Sequence, residues 1–191
     1  MKTKKQILSK SMEMFLEQGY DNTPMSQLAK ELGLSKAGLY HHYPSKESLL
    51  FDIIDFMNET NFIPFYKAAK KISDPEKRIL FFLRKFSGMN TISASARIAV
   101  HEARRLTPQH LNKIKKSWQM AYDLLKDAIS EMQALGKAKN MNSAFAAFAA
   151  IGMCSWTFYW FDYSRKESSE ELSETFVEIF MRGIAGSDQH E

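Results

Sequence analysis

The side chains best equipped to meet a partner with specific chemistry are crowded into one short stretch. Positions 25–44 read MSQLAKELGLSKAGLYHHYP. On a helical wheel at about 100° per residue, the part after Ser35 divides into two sides. Leu39 and Tyr43 fall on one side. Ala37, Gly38, Tyr40 and His41 fall on the other, flanked by Lys36 and His42. A face that begins small and ends in hydrogen-bonding groups packs poorly against protein. It suits the edges of nucleic-acid bases. Ala37 and Gly38 let the backbone come close, Ala37 can meet a thymine methyl, and Lys36 and His41 can reach base edges. Tyr40, His42 and the helix starts at Thr23 and Lys46 suit phosphates. Helical hairpins with the same A-x-x-x-G spacing also occur in proteins that bind nothing, so an idle hairpin stays open at this point.

Such side chains must be held by a stiff pair of helices. Leu28, Leu32, Leu34 and Leu39 are the apolar positions, Ala29 is small where two helices cross, and Gly33 sits where the turn needs a positive φ. Along the rest of the chain, 8 glycines and 5 prolines stand against 14 phenylalanines, which favours helices over short strands. Periodicity and capping residues predict an all-α fold of about nine helices, over 3–18, 25–32, 36–43, 46–70, 75–89, 91–105, 107–135, 142–163 and 169–184. Thr23 is the expected N-cap of the second helix, with Pro24 at its first position. Pro64 should bend the fourth. The composition shifts near residue 50, from tightly punctuated and polar to long and apolar. The expected division is a three-helix helix-turn-helix domain over 1–46 and a body over 47–191.

Gly19-Tyr20, Thr23, Leu28-Ala29, Gly33-Leu34-Ser35, Gly38, Leu39-Tyr40, His42-Tyr43 and Lys46 through Leu50 resemble the N-terminal domain of TetR/AcrR-family repressors, over about residues 3–50. The resemblance implies an all-helical homodimer whose small domain binds operator DNA and whose larger domain binds a small-molecule inducer. It implies Thr23, Ser35, Lys36, Ala37, Gly38, Tyr40, His41, His42 and Lys46 as the DNA contacts. Tyr43 stands where the family more often has Phe, and keeps the packing role.

The body offers fewer specific signals. Residues 141–160 carry no charge, yet Asn142, Ser143, Gly152, Ser155 and Thr157 make them a poor membrane span. A helix that is apolar all round should be buried on both sides, and a partner subunit is the simplest second side. Phe148, Ile151 and Ser155, with Phe176 and Phe180 on the last helix, are the expected dimer residues, in a four-helix interface between two copies. The competing reading wraps both helices around the monomer core. Phe62, Phe86, Trp118, Tyr122, Trp156 and Trp160 form an aromatic load that either lines an apolar ligand pocket, with Arg105 as a further ligand-binding candidate, or is ordinary core. HEARRLTPQHL at 101–111 and WTFYWFDYSRKESSEEL at 156–172 are similar to the C-terminal domains of TetR-family regulators of fatty-acid and sterol degradation, which implies an acyl-CoA ligand. Ser164-Arg165-Lys166-Glu167 departs from the Pro- and Gly-containing loop of those relatives. Arg104, Arg105 and the lysines of 113–116 either meet CoA phosphates or form a solvated face.

Several classes of chemistry are excluded. One cysteine, Cys154, permits no intrachain disulfide and no cysteine-rich zinc module. There is no phosphate-cradling glycine loop, no serine elbow and no H-E-x-x-H helix. His101, Glu102 and His110 make a weak metal set, so neither a metal nor a cofactor is expected. No secretory signal follows the charged N-terminus, and a cytoplasmic setting is expected. The net charge of +4 permits a nucleic-acid partner without requiring one. The expected function is a ligand-responsive repressor; a helical carrier of apolar molecules that does not bind DNA, and an all-α enzyme, are the competitors.

Overall fold

The computed structural model describes residues 3–92, 98, 101–160 and 169–186, with the side chains of 88–92, 158–160 and 169 outside the description. Its elements are α-helical. The strand pairing among the described residues is one isolated antiparallel bridge, Ala138 to Ala185. The chain divides into two compact units: residues 1–60 with 94–115, and residues 61–93 with 116–191.

In the first unit, helix α1 (Lys4–Gln18) opens on a reciprocal cap between Thr3 and Gln6 and closes at Gly19, whose φ is +84°. Helix α2 (Met25–Glu31) and helix α3 (Lys36–His42) form the hairpin, and helix α4 (Lys46–Met57) follows with Ser45 and Ser48 capping each other. Ile7, Leu8, Phe15, Leu28, Leu32, Leu39, Leu49, Leu50 and Ile53 share one buried cluster, joined by Ile98, Leu106 and Ile114. Burying such side chains is the main stabilising contribution, at about 1.5–3 kcal/mol each. Because α4 supplies part of this core, the first unit does not stop at the expected boundary of 46. It also recruits residues 94–115.

The expected helix over 46–70 is interrupted rather than bent. A wide π turn, Asn58–Phe62, separates α4 from helix α5 (Ile63–Lys70), which has Pro64 in its first turn. Proline has no N–H to give to the preceding turn and its ring crowds the carbonyl four residues back. That carbonyl belongs to Thr60, inside the widened turn. Of the expected helix over 91–105, residues 93–97, 99 and 100 lie outside the description. Helix α6 (Pro75–Ile92) runs past its expected end at 89, and Ala103–Arg105 is a 3-10 turn.

In the second unit, α5 and α6 are joined by the C-terminal part of helix α7 (Pro108–Ala134), helix α8 (Ser143–Trp160) and helix α9 (Ser169–Ile184). Phe65, Ile79, Phe82, Leu83, Leu125, Ile129, Ala147, Ala150, Val177 and Phe180 lie in its core. Helix α9 packs on α6, where Arg84 grips Glu174 through two hydrogen bonds of 2.6 and 2.9 Å. Asn142 caps α8 by accepting from the Ala144 and Phe145 amides. Cys154 is fully buried, and burial pushes its thiol up to about 11, so it stays protonated at neutral pH. No helix among the described residues is long and apolar enough to cross a membrane.

Candidate nucleic-acid interface

The α2–α3 turn is closed by Gly33 at φ +64°, and the Leu34 amide donates back to the Ala29 carbonyl at 2.8 Å. Leu28 and Leu32 are buried beneath it, and Ala29 is 2 % exposed. Ser35 caps α3, its hydroxyl oxygen accepting from the Gly38 amide at 2.9 Å. A Cβ on Gly38 would sit 3.1 Å from that same oxygen. The absence of a side chain at 38 therefore serves the cap as well as the outer surface.

Leu39 anchors the helix with no exposed surface, and Tyr43 follows at 5 %. The Tyr43 hydroxyl also hydrogen-bonds Asp52 on α4. Burial first, then the Asp52 charge and hydrogen bond, push the phenol up to about 12. A phenylalanine at 43 would pack alike but lose this tether. The opposite side of α3 is bare. Ser35, Lys36, Ala37, Tyr40, His41 and His42 are exposed, and Gly38 is half-exposed. The His41 and His42 rings meet edge to face with centroids 5.9 Å apart. The helix thus has one side fixed in the core and one side lined by hydrogen-bonding groups with open access.

Two of the expected contacts are placed differently. Thr23 is fully buried. Its hydroxyl donates to the Gly19 carbonyl at 2.8 Å, and Pro24 rather than Thr23 occupies the N-cap position of α2. Thr23 is therefore a prop beneath the α1–α2 turn and offers no side-chain oxygen to a phosphate. Lys46 is half-buried over the Tyr20 ring, 4.3 Å from its centroid, with Nζ donating to the Asp21 carbonyl at 3.4 Å. Burial lowers its ammonium from the ordinary value despite the pull of Asp21.

The model for bacterial regulatory proteins of the tetR family matches residues 7–53, which contain this hairpin, and the model for the tetracyclin repressor-like C-terminal domain matches residues 75–184. The chain belongs to the TetR family. TetR-family proteins are DNA-binding transcriptional regulators and not enzymes. It is 33% identical over 86 residues to the transcriptional regulator LmrA of Bacillus subtilis, covering 44% of this chain and 46% of that one. The chain spans under half the length of the Bacillus subtilis regulators it matches. It is 23% identical to the transcriptional repressor KstR2 of Mycolicibacterium smegmatis, covering 97% of this chain and 93% of KstR2. Among solved structures it is similar to AibR in complex with isovaleryl coenzyme A and operator DNA, with a TM-score of 0.85, 26% identity, and coverage of 92% of this chain and 96% of that one.

The C-terminal residues singled out for this TetR-family chain are scattered. Phe62 is buried and Phe86 half-buried, both packed into the core of the second unit. Tyr122 leans on Phe148 with ring centroids 4.8 Å apart. Trp118 and Trp156 stand 45% and 62% exposed. The Trp160 side chain lies outside the described residues. Arg105 belongs to the first unit, where Glu102 and Asp21 engage its guanidinium. An open depression of about 480 Å³ in the second unit is lined by Glu76, Met132, Lys137 and Met181 among others, none of them in the expected set. Of the expected dimer residues, Phe148 is exposed and Ile151, Ser155 and Phe176 are half-buried. Phe180 is corrected: it is 6% exposed and fills the monomer core, while its neighbour Ile179 stands 57% exposed. A one-residue step turns a helical side chain by about 100°, so the apolar residues among 176–180 did not say which member faced out.

Proposed function

We propose that the protein is a ligand-responsive repressor that binds a palindromic operator as a homodimer, in the cytoplasm, and is released by a small apolar or acyl-CoA-type inducer. The DNA half rests on one observation: Leu39 and Tyr43 fix α3 in the core while Lys36, Ala37, Tyr40, His41 and His42 stand bare. In a major groove, Lys36 and His41 donate to base edges, Ala37 touches a thymine methyl and Gly38 brings the backbone near. Tyr40, His42 and Lys46 hold phosphates, and Ser35 shapes the start of the helix through its cap. Two such helices about 34–36 Å apart, or a multiple of that, match an inverted repeat.

Twofold pairing is supported by α8 and α9. Phe145, Phe148, Trp156 and Ile179 are more than half exposed, and aromatic patches of this kind mark association surfaces. Ile151, Ser155 and Phe176 border them. The inducer class is supported by AibR, whose structure holds isovaleryl coenzyme A, and the repressor reading by the likeness to the repressor KstR2 across nearly the whole chain.

The test is a selection of random duplexes on the full-length protein. An inverted repeat should be enriched, with affinity falling steeply as salt rises. Lys36→Ala with His41→Ala should abolish sequence-specific retention, each lost base contact costing about 1–3 kcal/mol, while the thermal midpoint stays put. A chain that retains no duplex even at low salt is instead a helical carrier of apolar molecules.

A further inference from the structure

Several polar contacts of the first unit converge on one short stretch that the DNA reading leaves unused, residues 102–113. Its 3-10 turn carries Arg105. The guanidinium donates to Glu102 at 2.5 Å and to Asp21, and lies 5.2 Å from the centroid of the Tyr20 ring. Lys46 sits over the same ring and donates to the Asp21 carbonyl. Tyr20 and Asp21 form the turn that leads into α2, so Arg105 grips two side chains of the turn just ahead of the hairpin. A second grip lies beyond the hairpin. Glu47, in the first turn of α4, accepts from the Thr107 amide and pairs with His110 Nδ1, both at 2.8 Å. The His110 ring stacks on Phe51 with centroids 3.9 Å apart and planes 6° apart. Lys113 continues the row, 2.8 Å from Asp55 and over the Phe51 ring. Beneath these contacts Leu106 and Ile114 are buried in the core that also holds Leu39.

One stretch is therefore fastened to the chain on both sides of α3. We propose that Arg105 and Glu47 are positioning residues for DNA recognition: they bind the stretch 102–113 to the α1–α2 turn and to the start of α4, and so set the reading face through residues that do not meet the duplex. The inference rests on the DNA reading above. It also gives that reading a route for control. The stretch includes the start of α7, which begins in the first unit at Pro108 and continues in the second from Lys116. A change at the start of α7 would then be felt by α3 without loss of a DNA contact.

The experiment measures binding of the full-length chain to the duplex recovered in the selection, across a range of salt. Its variants are Arg105→Gln, Asp21→Asn, the two together, and Glu47→Gln. Each single variant should weaken binding roughly 3- to 30-fold, and the double variant should be no weaker than either single one, since contacting groups couple. The slope of affinity against salt should not change, because no phosphate contact is lost. Exchanging the charges, Asp21→Arg with Arg105→Asp, should recover part of the affinity, which mere damage to the fold would not allow. Should Arg105→Gln fail to fold, Glu47→Gln carries the same prediction. Wild-type affinity in all variants overturns the inference, as do additive losses in the double variant. A salt slope shallower by about one in Arg105→Gln also overturns it, by making Arg105 a phosphate contact. In each of these cases the DNA reading survives. A wild-type chain that retains no duplex removes both.

Discussion

Helices α3 and α8 each leave one side uncovered, and the two bare sides are built in opposite ways. On α3 the uncovered positions are Lys36, Ala37, Tyr40, His41 and His42, small or able to hydrogen-bond. On α8 they are Phe145, Phe148 and Trp156, at 70%, 62% and 62% exposure, separated by Ala149 and Gly152. Water satisfies the first side and is a poor neighbour for the second, where exposed apolar area costs roughly 25 cal/mol per Å². Covering α3 with an apolar surface would strand its donors. Covering α8 with a charged surface would relieve nothing. Exposure alone therefore says only that a helix has room for a partner. The chemistry of the exposed side separates the kinds, and the proposed function gives α3 a hydrated, charged polymer and α8 a second apolar protein surface.

The hidden sides allow the sharpest test of this contrast. Leu39→Ala empties a fully buried site, and urea unfolding should show a loss of about 2–5 kcal/mol; a loss below 1 kcal/mol would mean that α3 is not anchored there. Phe145→Ser with Phe148→Ser removes aromatic area outside the core. In the proposed dimer the dissociation constant should rise about 10- to 100-fold in sedimentation while the thermal midpoint of the monomer fold barely moves. Ser35→Ala deletes only the α3 cap, for about 1 kcal/mol of stability, and Ser35→Thr should keep most of it; equal midpoints for all three proteins would remove the cap from the account. The smallest effect depends on pH. Burial pushes the Glu47 carboxyl up, but the Thr107 amide and the His110 ring more than offset this and hold it below its ordinary value. A depressed carboxylate contributes stability that is present above the ordinary carboxylate range and lost as pH falls through the folded-state value. The gap in thermal midpoint between wild type and Glu47→Gln should therefore narrow below pH of about 4, and a gap that persists in acid would discard the pairing.

The hairpin was legible because its signals are local. Gly33, the leucines around it and the cap at Ser35 act within a few residues of each other, and periodicity separates the two sides of α3. Thr23 misled because a threonine before a proline reads as a cap, while its burial depends on α1 folding over it. The grip of Arg105 and Glu47 left no pattern at all. Asp21, Glu47, Asp55, Arg105, His110 and Lys113 are spread over more than ninety positions, and a lone charge in sequence looks the same whether solvated or paired. The aromatic body was hard for a related reason. Every candidate in it is apolar, and composition does not distinguish Phe180 in the interior from Phe148 at the surface.

The closeness of Gly38 to Ser35 limits how this regulator can diverge. A side chain at 38 would need the Ser35 hydroxyl to yield by a few tenths of an ångström, so descendants of this gene that acquire new target sites can rewrite 36, 37, 40 and 41 at less cost to the cap than 38.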